Sequence, residues 1–121
     1  MFHCLADNCA NTLVGGPGSD RSEPAWHQTY RALEHGLVSR RYERTAIMRK
    51  FPPEIRGFAD KFVDMQAKRH KSDYDPEANF SKVSVSRDID LVEQKIVDFY
   101  RVRVKDRRAF AVYVLLNLRN L

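Results

Sequence analysis

The sequence predicts an all-α, up-and-down bundle of four to five helices. Two observations carry that prediction. Apolar residues recur at three- and four-residue steps in nearly every segment between glycine- or proline-bearing breaks. In addition, the only β-prone run, Val112-Tyr113-Val114, has no second run to pair with. At 121 residues and 14.1 kDa the chain is long enough for one modest core, read here as a single domain over 1–121.

Phe2, Leu5, Cys9 and Leu13 already have helical spacing, yet no capping residue precedes them. The first helix is therefore expected to be cut short at its N-terminus, by truncation or by a late-assigned start. It should run to about Val14, where Gly15-Gly16-Pro17-Gly18 stops it. Ser22 as N-cap and Pro24 in the first turn open the second helix, with Trp26, Tyr30, Leu33 and Leu37 as its buried stripe. The pattern weakens after Val38, and a break is expected between Ser39 and Arg44.

Pro52-Pro53 marks the third helix, striped by Ile55, Phe58, Phe62 and Met65. The next place on that stripe is Arg69, followed by His70, Asp73 and Tyr74, and Asp75-Pro76 ends the helix. A cation, an imidazole, a carboxylate and a phenol thus interrupt an otherwise apolar seam. Arg69 is expected to be partly buried and paired with Asp73, while His70 and Tyr74 form a second pair four residues apart. Phe80, in the loop that follows, is expected to pack back on the core. Ser84 or Ser86 should cap the fourth helix, whose stripe is Val85, Ile89, Val92, Ile96 and Phe99. A buried terminal helix capped by Asp106 completes the bundle.

Composition narrows the function classes. No apolar run approaches the ~20 residues of a membrane span, so no membrane role is expected. No leader-like basic and apolar segment opens the chain. Cys4 and Cys9 diverge around a helix and should not form a disulfide, so a reducing cytoplasm is the expected location. The net charge of +5 permits binding to phosphate without requiring it, because the basic residues are spread among acids. The four histidines and two cysteines lack metal-ligand spacing, and no phosphate-cradling loop or nucleophile elbow is present; no metal and no cofactor are expected.

Three segments together resemble a known family. FHCLADNCANTLVG with PAWHQTYRALEHG, FADKFVDMQAKRHKSDYDP and KDRRAFAVYVLL are similar to the first helical hairpin, third helix and last helix of small bacterial HEPN domains (higher eukaryotes and prokaryotes nucleotide-binding). The third-helix segment, FADKFVDMQAKRHKSDYDP, resembles the branch with an Arg-x-x-x-Asp-Tyr ending, here Arg69, Asp73 and Tyr74. The resemblance implies a homodimeric HEPN-like bundle that contacts RNA, nucleotide phosphate or a partner nucleotidyltransferase through Arg69, His70, Asp73 and Tyr74. A second implied reading is a metal-independent endoribonuclease of a toxin–antitoxin type system, with Arg69 and His70 as catalytic groups; a third is a structural or assembly subunit.

The ribonuclease members carry an arginine and a histidine with four to six residues between them. Arg neutralises the attacked phosphate and His moves the ribose proton. Here Arg21 and His27 meet that spacing but straddle Pro24, away from the family's motif position. Arg31 and His35, four apart on one expected helix face, have one residue too few between them. His70 has no arginine at the required distance upstream. His35 is read as a packing histidine.

Overall fold

The computed structural model describes residues 1–75, 77 and 80–117. These residues form an all-α bundle of seven helical segments. They are α1 (Phe2–Leu13), α2 (Glu23–Ala32), α3 (His35–Tyr42), α4 (Thr45–Met48), α5 (Pro53–Tyr74), α6 (Lys82–Arg101) and α7 (Val104–Leu115). The run around Val112 is helical, as expected. Pro76, at the expected end of α5, lies outside the described residues.

Helix starts follow the local chemistry. The Ser22 hydroxyl accepts the Ala25 amide at 3.3 Å and Pro24 occupies the first turn of α2, as the sequence indicates. Gly15 closes α1 in a positive-φ conformation in which a Cβ would collide with Arg21 Cβ at 2.9 Å. Two expected caps are corrected. Ser81, rather than Ser84 or Ser86, caps α6 by accepting the Ser84 amide at 3.0 Å. Asp106 lies inside the first turn of α7, whose N-cap is Arg103. There its carboxylate still complements the helix dipole.

The second expected helix is two. Leu33 and Glu34 both adopt extended backbone and separate α2 from α3, and a further break at Glu43 and Arg44 introduces the short α4. The turn at Leu33 buries that side chain and redirects Val38 into the core. Of the expected stripe, Trp26, Tyr30 and Leu37 are only half-buried. Arg31 and His35 consequently sit on different helices.

The core joins Leu5 and Cys9 of α1, Val38 of α3, Ile55, Phe58 and Phe62 of α5, Phe99 of α6, and Phe110 and Val114 of α7. Phe58 stacks on Phe99 with centroids 4.5 Å apart, and Phe51 meets Phe110 edge-on. Cys4 and Cys9 are free thiols, and burial pushes Cys9 up to about 12.

Polar ties lock the body. The Arg41 side chain, buried and not solvated, donates from Nε to the Tyr113 carbonyl at 3.0 Å and from Nη2 to the Leu116 carbonyl at 2.9 Å. The Tyr113 hydroxyl donates in return to the Arg41 carbonyl at 2.6 Å. Arg41 thus satisfies carbonyls at the C-terminus of α7, while the Tyr113 hydroxyl is a second donor to the Arg41 carbonyl, which also accepts the Arg44 amide at 3.1 Å. Arg107 similarly bridges Asn8 of α1 and Val102 at the α6–α7 turn.

The α5–α6 pair extends beyond this body as an antiparallel arm. Buried positions on α5 end at Phe62, and α6 buries only Phe99 near its far end. From Phe62 to Tyr74, α5 continues for about 18 Å at helical rise. An ionic clamp closes the arm: Asp88 of α6 accepts from Lys61 at 2.8 Å and from Lys68 at 2.9 Å. Its bonds to Lys61 and Lys68 hold the Asp88 carboxyl below its ordinary 3.8, and the same contacts hold both lysines above 10.5.

The carboxylate's contribution is present above pH 3.8 and lost as pH falls through its lowered value; that of the lysines is lost as pH rises through theirs. Asp88→Asn is therefore expected to speed amide exchange in the arm by about threefold to tenfold, leaving α1 and α7 unchanged. Wild-type protein should lose the same protection in acid. Exchange mapped by mass spectrometry checks this, and equal protection in both proteins would remove the clamp from the account.

Candidate functional site

Where the body ends and the arm begins, a cleft of about 870 Å³ opens. That size lies within the range of small-molecule pockets. Phe62, Met65, Ile89 and Val92 supply apolar walls, with Phe2 and His3 from α1 and His35 from α3 opposite them. Arg69, His70, Asp73 and Tyr74 all line it, joined by Gln66 and Glu93. The sequence-predicted cluster is therefore brought together on one cavity.

The expected burial of Arg69 is corrected. Its side chain is 78% exposed and that of Asp73 57%. Arg69 does continue the stripe of Phe58 and Phe62, but α1 and α3 stop short of it, and the stripe runs out into the cleft. The Arg69–Asp73 ion pair is loose, with Nε 3.9 Å from Oδ2. That is too long for a hydrogen bond and stabilises by no more than ~0.5 kcal/mol at an exposed helix position. Arg69 is thus left with guanidinium donors able to take an anion. His70 and Tyr74 pair as their spacing suggests, with ring centroids 4.7 Å apart at 45°, yet on the surface, since Tyr74 is 75% exposed.

The opposite wall holds residues that sequence reading did not place in the site. His35 stacks on Phe2 with centroids 4.1 Å apart and only 10° between planes, and it lies 5.8 Å from Phe62. His3 shares a hydrogen bond through Nδ1 with the Tyr30 hydroxyl. Burial, followed by Arg69, His3 and the positive charge at Met1, holds His35 below the ordinary imidazole value of 6.5. Neutral His35 favours the folded state above pH 6.5, and that contribution is lost as pH falls through its lowered value.

Other sequence candidates fall outside the cleft. Arg21 lies over the Trp26 ring at 4.8 Å and donates to the Gly15 carbonyl at 2.9 Å, so it ties the loop to α2 while His27 is exposed. Val85 of the α6 stripe is 45% exposed on the arm's outer half, whereas Ile89, 52% exposed, stands in the cleft wall. Phe80 is half-buried. Among the described residues no group of three or more His, Cys, Asp or Glu is arranged to hold a metal ion, and no helix is long and apolar enough to cross a membrane.

Comparison of the chain with protein-family models, with curated proteins and with solved structures finds no match in any of the three.

Proposed function

We propose that this protein is a binding module for a phosphate-bearing ligand of the nucleotide class, either a nucleotide or single-stranded RNA, held in the cleft at the base of the arm. The observation that carries this reading is the presence of Arg69, His70 and Tyr74 on the lip of one cavity with apolar and aromatic walls. Arg69 supplies donors for a phosphate, and His70 lies one residue on along α5. Tyr74, exposed beside His70, offers a face on which a base can stack, worth about 1–3 kcal/mol per base. The resemblance to HEPN domains agrees with this reading and extends it to a homodimer and to a nucleotidyltransferase as protein partner.

A second reading, a metal-independent ribonuclease, is favoured by one feature: three imidazoles, His3, His35 and His70, line the same cleft as Arg69. Those are the groups that proton transfer and phosphate neutralisation require. One experiment separates the two. Fluorescence-labelled oligouridylate is titrated with protein in EDTA over a salt series, and the RNA is then run on a gel. Binding without cleavage is expected, with a log–log salt slope of about −0.7 for each phosphate neutralised. Cleavage by wild type that is lost in His70→Ala would establish the enzyme instead. Failure to bind at low salt would overturn the binding reading.

A further inference from the structure

His35 differs from His3 across the cleft wall, and unlike His70 its ring is stacked on the body. Among the described residues its ring nitrogens have no hydrogen-bond partner, whereas His3 Nδ1 is engaged by Tyr30. Its plane is fixed by the near-parallel stack on Phe2, and Phe62 limits it from α5. A ring held in this way against a cavity wall, with both nitrogens uncommitted, is arranged to address whatever occupies the cavity. Arg69, two turns beyond Phe62 on the same face of α5, lines the same space.

We infer that His35 is the second cation of the anion site: it takes up a proton from solvent as a phosphodiester settles against Arg69, so ligand binding and proton uptake are coupled. This rests on the reading of the cleft as a phosphate site. The charges around His35 supply the mechanism. From α1 it faces His3 and the positive charge at Met1, and from α5 it faces the Arg69 guanidinium. His70 and Asp73 of α5 and Glu93 of α6 line the cavity as well.

In the empty cleft, burial and this cationic surround favour neutral His35. An anion beside Arg69 offsets the repulsion and leaves an imidazolium with a counter-charge to donate to. By linkage, a group that binds a proton more tightly in the complex makes the complex tighter as pH falls.

The test uses the same labelled oligouridylate, whose phosphodiesters and bases keep their charge between about pH 5.5 and about pH 8. Affinity in wild type should rise as pH falls across that range. In His35→Gln the rise should be smaller by about threefold or more, within the tenfold per pH unit that one proton can supply. As a second readout independent of any variant, the His35 ring protons are titrated by NMR with and without oligouridylate. The expected result is a midpoint below 6.5 in the free protein that moves up on saturation. Binding whose pH dependence is the same in His35→Gln, or an unmoved midpoint, would overturn this inference and leave the binding reading intact. No binding at any pH would overturn both.

Discussion

Phe99→Ala should destabilise the protein by about 3–5 kcal/mol, the range for removing a buried aromatic ring. Phe99 has no exposed surface, stacks 4.5 Å from Phe58 and lies edge-on to Phe110. It is also the one buried residue of α6. The substitution therefore opens a cavity where α5, α6 and α7 converge and also releases the arm from the body. Chemical denaturation should show a lower midpoint, and thermal unfolding a fall of more than about 10 °C. A loss of under about 1 kcal/mol would mean that the surrounding helices close over the cavity and that the arm is held by other contacts.

Arg41→Met should cost about 2–3 kcal/mol. It retains an unbranched stem but removes both donors to the Tyr113 and Leu116 carbonyls. Those carbonyls lie at the end of α7, where helical amides run out, and burial withholds water from the Tyr113 carbonyl. Arg41→Lys should fall between wild type and Met, because a single ammonium cannot reproduce a two-nitrogen fork across both acceptors. Since the Tyr113 hydroxyl donates to the Arg41 carbonyl in return, Tyr113→Phe should lose less, and the double variant less than the sum of the two. Urea unfolding of wild type, Arg41→Met, Tyr113→Phe and the double variant measures the coupling. Strict additivity would show that the two contacts act independently.

These two residues illustrate what was legible from the sequence and what was not. Phe99 lies on a three-four stripe, so its burial could be read from neighbours in α6. Arg41 looks like one more member of the basic run Arg40, Arg41, Arg44, and its role depends on residues 72 and 75 positions away. Local periodicity carries no information about such a contact. The same distinction divides the candidate site. Arg69, His70, Asp73 and Tyr74 stood out because they break the α5 stripe, and they share one cavity. Their exposure was not legible, since it depends on where α1 and α3 end. The opposite wall of Phe2, His3 and His35 comes from the start of the chain and from a turn at Leu33 that carries no strong breaker. The apolar pattern runs through that turn without interruption, which is why one helix was expected and two are found. Cap positions were displaced for a simpler reason: the segment around Ser81, Ser84 and Ser86 offers three serines, and periodicity alone does not choose among them.

The arm and the body also divide the labour of the proposed function. The body buries Phe62 and stacks the His35 ring on Phe2, while the arm presents Arg69 and Tyr74 to solvent. A protein of net charge +5 will show some affinity for any polyanion, so binding by itself does not locate the site. The most direct measurement compares oligouridylate affinity for Arg69→Ala with that for Arg103→Ala at matched salt. Arg103 is an equally exposed arginine, 78% accessible, and does not line the cleft. The cleft reading predicts a loss of about tenfold or more for Arg69→Ala and a change of less than about twofold for Arg103→Ala. Equal losses in the two variants would show that net charge alone attracts the RNA, and would contradict the assignment of the cleft as its site.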